Sequence, residues 1–149
     1  MIHTRPANEY DAQVIADFQI KMARETEGLE LDRDTVNNGI ISVFRDPQKG
    51  KYYVAAENDK IVASMLITHE WSDWRNNWVY WLQSVYVIPE KRGIGVFKLM
   101  YQHILKQVND SNEVAGIRLY VDKKNLAARE VYNKLGMDGD HYQVFEWMK

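Results

Sequence analysis

The chain has 149 residues, of which 46% are hydrophobic and 27% charged, and its formal net charge is −2. This balance predicts one folded domain, 1–149, and argues against nucleic acid as a partner, since that role favours a basic surface. The lack of cysteine excludes disulfides and thiolate catalysis. No apolar run has membrane length and no leader is visible, which predicts a cytoplasmic protein with no membrane partner. No histidines are paired at metal spacing, so no metal site is assigned, and a site made of Asp and Glu stays open.

The N-terminal third predicts one strand followed by two helices. Residues 2–5 form a plausible first strand, and apolar residues then recur at helical spacing over about 8–27. After a loop, either Asp32 or Asp34 can cap a second helix that extends to about residue 44.

Two β-hairpins are predicted in the middle of the chain. Residues 52–56 and 61–67 are apolar runs joined across Asn58-Asp59, and a second hairpin pairs the latter run with 78–87. Around the loop of this second hairpin lies an aromatic cluster, formed by Trp71, Trp74, Trp78, Tyr80 and Trp81. The cluster fits three roles equally well, namely a wall for an apolar or cationic ligand, a subunit contact, or core packing.

A glycine-containing turn links the strand at 84–87 to a helix predicted from about residue 96 to 108. Arg92-Gly93-Ile94-Gly95 occupies the turn. Glycines let the backbone approach a ligand closely, and the first amides of a helix have no partner within the helix, so the turn is suited to a phosphate. The residues after Gly95 do not fit a P-loop, and two glycines do not complete a dinucleotide fingerprint.

The predicted helix after this turn begins with Phe97, which heads an apolar stripe. The stripe continues at Met100, Tyr101, Ile104, Leu105 and Val108. These offsets describe one helix face, so the Phe97 ring can point into the core while its backbone N–H faces a ligand.

A third region combines a strand at about 117–121, a polar break and an amphipathic helix. Asn125 is suited to cap this helix, and Gly136 is suited to end it in a left-handed conformation. Between them, Ala128, Val131, Tyr132 and Leu135 form one apolar stripe. Residues 142–148 are then predicted to be a final strand.

Two of these motifs, in this order, resemble the GNAT family of N-acetyltransferases. Arg92-Gly93-Ile94-Gly95-Val96-Phe97 resembles the family's Arg-x-x-Gly-x-[Gly/Ala] pyrophosphate loop, with Phe97 as the departure. The pattern Asn-x-x-Ala-x-x-x-Tyr-x-x-x-Gly is matched at every spacing from Asn125 to Gly136. The resemblance implies an α/β (α+β) fold with a mixed, mostly antiparallel sheet flanked by helices, in the order β-α-α-β-β-β-α-β-α-β, forming a single acetyltransferase domain.

The resemblance also implies a co-substrate, acetyl-CoA, and the residues that hold it. The pantetheine arm would lie between two parting strands, and a tyrosine, here Tyr132, would act on the leaving thiolate. The implied contacts are Val85, Tyr86, Val87, Arg92, Gly93, Ile94, Gly95, Val96, Phe97, Asn125 and Tyr132. The acetyl acceptor would be a small-molecule or protein amine. Formation of a homodimer is left open.

The residue that accepts a proton from the amine is open at this point. Glu70, near a strand end, is the candidate catalytic carboxylate, and His69 is the alternative base. Gln83 or Ser84 could orient a water, and ordered water could accept the proton with no single dominant base. Two other functions also remain open: a non-catalytic acyl-CoA-binding or interaction domain with the same fold, and transfer of a longer acyl group.

Overall fold

The sheet and most of the helices belong to the first of two units. The computed structural model describes all 149 residues, which comprise Met1–Arg118 and Leu119–Lys149. The first unit contains β1 (Ile2–Pro6), α1 (Ala12–Glu27), α2 (Arg33–Arg45), β2 (Lys51–Glu57), β3 (Lys60–Ser72), β4 (Asn77–Val87), α3 (Val96–Asp110) and β5 (Val114–Arg118), and the second contains α4 (Leu126–Lys134). No helix combines the length and apolar composition that crossing a bilayer requires.

Side-chain caps determine where the first two helical segments begin. The Asn8 side chain accepts a hydrogen bond from the Tyr10 N–H at 3.0 Å and starts a short 3-10 turn that leads into α1. At α2, the Asp32 carboxylate accepts from the Thr35 N–H at 2.9 Å, which selects Asp32 over Asp34 as the cap. Each cap satisfies an amide that the helix cannot pair, and both capping residues are among those that the sequence predicts.

The strands form one sheet in the order β1-β2-β3-β4-β5. The first four strands are antiparallel neighbours, whereas β4 and β5 are parallel and are joined through α3. Asn58 and Asp59 both adopt positive φ angles, 47° and 66°, at the turn between β2 and β3. This left-handed pair matches the strand twist of a tight hairpin, so the predicted hairpin is confirmed.

Helices cover both faces of the sheet. On one face, α1 and α2 pack on β2 through a buried cluster that includes Ile15, Ile40, Tyr52 and Val54. The stripe predicted on α3 is confirmed at Met100, Tyr101, Ile104 and Val108, which are buried, whereas Leu105 is half-buried. Phe97 is only half-buried, and its ring centroid lies 6.2 Å from that of Tyr101.

The second unit is built around α4. The Asn125 side chain caps this helix by accepting from the Ala128 N–H at 3.1 Å, and Gly136 follows its end at a φ of 84°. Both end signals are therefore confirmed. None of the residues from 119 to 149 is buried.

Two sequence predictions in the C-terminal region are wrong. The strand expected at about 117–121 is β5, Val114–Arg118, so it begins and ends three residues earlier. The final strand expected at 142–148 is absent, so the observed order stops at β-α-α-β-β-β-α-β-α. The β-propensity of these residues is not enough, because a strand also needs a neighbour for its backbone groups.

Candidate active site

The strands β4 and β5 part from each other after a short paired stretch. Pairing begins at Trp78 with Val114 and ends at Trp81 with Arg118, the last residue of β5. The strand β4 continues to Val87, so residues 82–87 have no strand beside them on that side of the sheet. This open edge, residues 82–87 of β4, is a place where an extended ligand could pair with backbone.

A bulge distorts β4 within the open edge. Ser84 has a φ of 53°, which is rare for a residue with a side chain, and the register with β3 shifts between Ser64 and Leu66. The Gln19 side-chain amide of α1 donates to the Ser84 carbonyl at 3.3 Å and supports the bulge. In the sequence Ser84 stands out by its polar side chain, whereas its unusual feature in the structure is its backbone.

Backbone direction differs between neighbouring residues of the open edge. The Ile88 N–H donates to the Val62 carbonyl at 3.0 Å, and Tyr86 pairs with Ser64. Because alternate residues of an antiparallel strand point their polar groups to opposite sides, the N–H and C=O of Val87 point to the open edge. Those of Tyr86 point towards β3.

The turn after β4 presents backbone amides at the start of α3. A short 3-10 turn, Pro89–Lys91, leads into Gly93 and Gly95, whose φ angles are 75° and 86°. Gly95 caps α3 without any side-chain bond, and the first helical bond runs from the Leu99 N–H to its carbonyl at 3.0 Å. The backbone N–H groups between Gly95 and Leu99 have no carbonyl acceptor one helical turn earlier. They are therefore available to an anion.

Backbone conformation, rather than close packing, explains the glycines at positions 93 and 95. A β-carbon at Gly93 or Gly95 would meet no atom within 4 Å. The requirement is therefore the left-handed backbone, which costs other residues about 1–2 kcal/mol, rather than close packing. The same empty space leaves room for a ligand at the loop.

Arg92 is held by three contacts on the first unit. Its Nη2 lies 2.7 Å from Glu25 Oε2, its Nε donates to the Val87 carbonyl at 2.9 Å, and its guanidinium lies 5.3 Å from the Tyr86 ring centroid. The Tyr86 hydroxyl donates to the other Glu25 oxygen at 3.0 Å. The Arg92 bond lowers the pKa of Glu25 below its ordinary value, so this carboxylate is charged at neutral pH.

The polar side chains beside the parted strands lie on the face that α1 and α2 cover. Arg118 Nη1 lies 2.5 Å from Glu70 Oε1, and the Gln83 amide donates to the Thr68 hydroxyl at 2.5 Å. Strand alternation places His69 on the opposite face, where its ring meets Trp78 edge-on at 4.9 Å. Glu70 and Gln83 therefore share a face near the parting point, and His69 does not.

The comparisons with known proteins decide the family. The model of the acetyltransferase (GNAT) family matches residues 12–137. A possible acetyltransferase from Clostridium difficile 630 is 40% identical over 100% of this chain and 98% of its own, with a TM-score of 0.91. The chain belongs to the GNAT acetyltransferase family.

More distant solved structures share the fold. A predicted acetyltransferase with acetyl-CoA from Clostridium acetobutylicum is 21% identical, covers 98% of this chain and 96% of its own, and has a TM-score of 0.75. A ribosomal-protein-alanine N-acetyltransferase from Brucella melitensis biovar Abortus 2308 is 12% identical over the full length of both chains, with a TM-score of 0.79. No functionally curated protein matches the sequence.

The second unit of this GNAT protein carries the other two residues that the family motif singles out. Asn125 uses its side-chain oxygen to cap α4. Tyr132 is half-buried on the same helix, and burial raises the pKa of its hydroxyl. The hydroxyl is thus protonated at neutral pH and can donate a proton.

The aromatic cluster divides between the two faces of the sheet. Trp81 shares the face of Glu70, whereas Trp71 and Trp78 stack edge-to-face on the other at 5.1 Å. An open cavity of about 430 Å³ reaches this second face at His69 and Tyr80 and is also lined by Val43 and Phe44 of α2. Trp74, in the hairpin turn, is 89% exposed, so core packing does not explain it.

Sequence reasoning missed Glu25 as part of this site. It lies near the end of α1, among other acidic residues, and nothing in its local pattern distinguishes it. Only the folded chain brings it to Arg92. No group of three or more histidines or carboxylates lies close enough together to hold a metal ion.

Proposed function

We propose that this GNAT protein is an acetyl-CoA-dependent N-acetyltransferase that moves an acetyl group directly to a primary amine. The acceptor would be a small molecule or a protein. The observation that carries the proposal is the open edge of β4, which ends beside a glycine turn with exposed helix-start amides. An extended arm with a diphosphate at one end matches that arrangement.

The turn would hold the diphosphate mainly through backbone. Gly93, Ile94 and Gly95, with the first residues of α3, Val96 and Phe97, would donate their amides, and the positive helix end adds favourable potential. Arg92 contributes less free charge than its side chain alone suggests, because Glu25 already pairs with it. Its main role would be to fix the turn against Val87 and α1.

The open edge would hold the pantetheine arm as an added strand. The outward N–H and C=O of Val87, together with the backbone of Val85 at the bulge, are suited to pair with its amides. The Val87 carbonyl already accepts from Arg92, so its second lone pair would serve the ligand. Tyr86 would act through its ring and hydroxyl, and Asn125 would contact the arm as the family motif implies.

The chemical step would be attack of a neutral amine on the thioester carbonyl. The C–N bond forms, a backbone N–H near the bulge stabilises the developing oxyanion, and the C–S bond then breaks. Tyr132 would donate its proton to the leaving thiolate, in keeping with its raised pKa. The products are the N-acetylated amine and free CoA.

The proton lost by the amine would pass to Glu70 or to water that Glu70 positions. The amine must lose a proton before it can attack, because a free alkylamine has a pKa of about 10.4 and is protonated at neutral pH. Glu70 reaches the parting point of the strands through its pair with Arg118, which fixes the carboxylate by one oxygen. Gln83 and Thr68, on the same face, would help to order the water.

Release of free thiol from acetyl-CoA in the presence of a panel of amines tests the proposal. The chain has no cysteine, so all thiol detected comes from CoA. Amine-dependent release, with the acetylated product seen by mass spectrometry, is the expected result. Tight acetyl-CoA binding without transfer to any amine or protein extract would instead favour a binding domain.

A further inference from the structure

Gln19 lies on the buried side of α1, where this helix otherwise places apolar side chains. Ile15 and Ala23, about one turn before and after it, are buried, and Gln19 itself is only 8% exposed. A buried amide loses its hydrogen bonds to water, so it destabilises the fold unless a protein group accepts its N–H. The acceptor is the Ser84 carbonyl of β4, 65 positions further along the chain and 3.3 Å from the Gln19 Nε2.

Ser84 is the point at which β4 departs from regular strand geometry. Ser84 and Val85 together face a single residue of β3, Met65, because the register shifts there. The other residues with side chains and a positive φ are in the two hairpin turns, whereas Ser84 adopts its φ of 53° inside a strand. A left-handed residue in a strand is strained and persists only where its surroundings hold it. Gln19 is the side chain that bonds to its carbonyl.

The bond from Gln19 also fixes the residue that follows Ser84. Like every peptide bond of the chain, the bond between Ser84 and Val85 is trans, so the Ser84 carbonyl and the Val85 N–H lie in one plane and point in opposite directions. When the carbonyl is held towards α1, the direction of the Val85 N–H is therefore set as well. Phe18, next to Gln19, packs on Tyr86 with 5.0 Å between the ring centroids, so α1 is anchored to β4 directly after the bulge.

We propose that Gln19 is a positioning residue for acyl transfer, which holds the Ser84–Val85 peptide group in the orientation in which the Val85 N–H meets the thioester carbonyl. The inference rests on the proposed function, in which a backbone N–H near the bulge stabilises the oxyanion. Gln19 acts only through the Ser84 carbonyl and does not itself touch the reacting atoms. Without Gln19, the peptide group turns back towards ordinary strand geometry, and its N–H no longer meets the transition state.

The loss of Gln19 should lower kcat and leave acetyl-CoA binding nearly unchanged. An oxyanion forms only in the transition state, and loss of one oxyanion donor generally costs about 10²–10³-fold in kcat. Gln19→Met keeps the length of the side chain but donates no hydrogen bond. Its kcat should fall at least about tenfold, while the dissociation constant for acetyl-CoA should change by less than about threefold. Equal kcat in wild type and Gln19→Met would overturn the proposal.

Two further variants separate positioning from packing. Ser64→Ala is the matched control, because the Ser64 hydroxyl is fully buried beside the bulge but has no hydrogen-bond partner, and this variant should keep the wild-type kcat. Ser84→Gly is a suppressor, since glycine adopts the left-handed conformation without strain. Added to Gln19→Met, it should restore most of the lost kcat. If the double variant shows no recovery, or if Ser64→Ala loses as much kcat as Gln19→Met, Gln19 only fills space and the proposal is wrong.

The three-bond coupling between the amide and α protons of Ser84 tests the hold on the backbone without any activity, because this coupling depends on φ. In Gln19→Met it should move from the wild-type value towards that of an extended residue, and in Ser64→Ala it should stay at the wild-type value. An unchanged coupling in Gln19→Met would overturn the proposal even if turnover falls. A wild type that transfers no acetyl group to any amine would instead refute the proposed function, and the coupling would still decide whether Gln19 holds the peptide group.

Discussion

Glu25 and Arg92 lie 67 positions apart in sequence and join α1 to the glycine turn through a 2.7 Å contact between Oε2 and Nη2. The same carboxylate accepts the Tyr86 hydroxyl, while Arg92 reaches the Val87 carbonyl. One helix residue thus fixes both the end of β4 and the entry to α3. We propose that this connection keeps the turn shaped for a diphosphate.

Replacing Arg92 should weaken acetyl-CoA binding by loss of both charge and shape. Arg92→Gln removes the positive charge beside the proposed diphosphate and the bonds that hold the turn to Glu25, so the dissociation constant should rise at least about tenfold, or about 1.4 kcal/mol. Arg92→Lys keeps the charge but not the planar fork, and should recover only part of the loss. Calorimetric titration measures all three proteins, and equal affinities would remove Arg92 from the site.

The Glu25 contact should make stability depend on pH in a defined direction. Its folded pKa lies below the ordinary 4.5, so its contribution is fully present above about pH 4.5 and is lost as pH falls through the folded value. The melting temperature of wild type should exceed that of Glu25→Gln at pH 7, and the gap should close in acid. Glu27→Gln, two residues further along the same helix, is the control and should show no such gap.

Tyr132→Phe should slow transfer while leaving acetyl-CoA binding nearly unchanged. Loss of a general acid typically costs 10²–10⁴-fold in rate, and the ring itself is kept. Because burial raises the pKa of Tyr132 above 10, wild-type turnover should show no loss attributable to this group between pH 7 and pH 9. If Tyr132→Phe turns over at the wild-type rate, another group protonates the leaving thiolate.

The backbone of Ser84 should matter more than its hydroxyl. At a φ of 53°, Ser84→Gly relieves strain, whereas Ser84→Val adds a β-branched side chain and should cost about 1–2 kcal/mol in the free energy of unfolding. Urea denaturation compares the two variants. If Ser84→Gly keeps wild-type turnover and Ser84→Val loses it, the bulge positions the acyl group. Loss of turnover in both variants would instead favour a role for the hydroxyl, which both lack.

Glu70 can be separated from its partner by two substitutions. Glu70→Gln removes the negative charge and should lower turnover most strongly at low pH, where more of the amine is protonated. Arg118→Gln releases the Glu70 carboxylate from its ion pair and should mainly raise KM. Steady-state kinetics across pH distinguishes the two. If kcat/KM is unchanged in Glu70→Gln, the amine proton passes to water and this carboxylate takes no part.

The features that sequence could predict here are those controlled by neighbouring residues. The caps Asn8, Asp32 and Asn125 and the left-handed pair at Asn58 and Asp59 follow from short-range hydrogen bonds and turn geometry. The glycine turn was equally readable, since its chemistry lies in consecutive amides. These signals were sufficient to predict the order of the nine strands and helices, β1 to β5 and α1 to α4, along the chain.

The features that sequence could not predict depend on distant partners. Nothing near Glu25 indicates that it meets Arg92, and nothing near Ser84 indicates a left-handed bulge, because both result from the packing of α1 on β4. The strand expected at 142–148 failed for the same reason: its residues favour strand, but pairing requires an edge elsewhere.

The most direct test of the proposed site is a titration of the ¹⁵N-labelled protein with acetyl-CoA, followed by amide chemical shifts. We expect the largest shifts at Gly93, Ile94, Gly95 and Val96, together with Val87 on the open edge, and small shifts in α2 and β1. Saturable binding that leaves the turn and the edge unshifted, with shifts elsewhere, would contradict it.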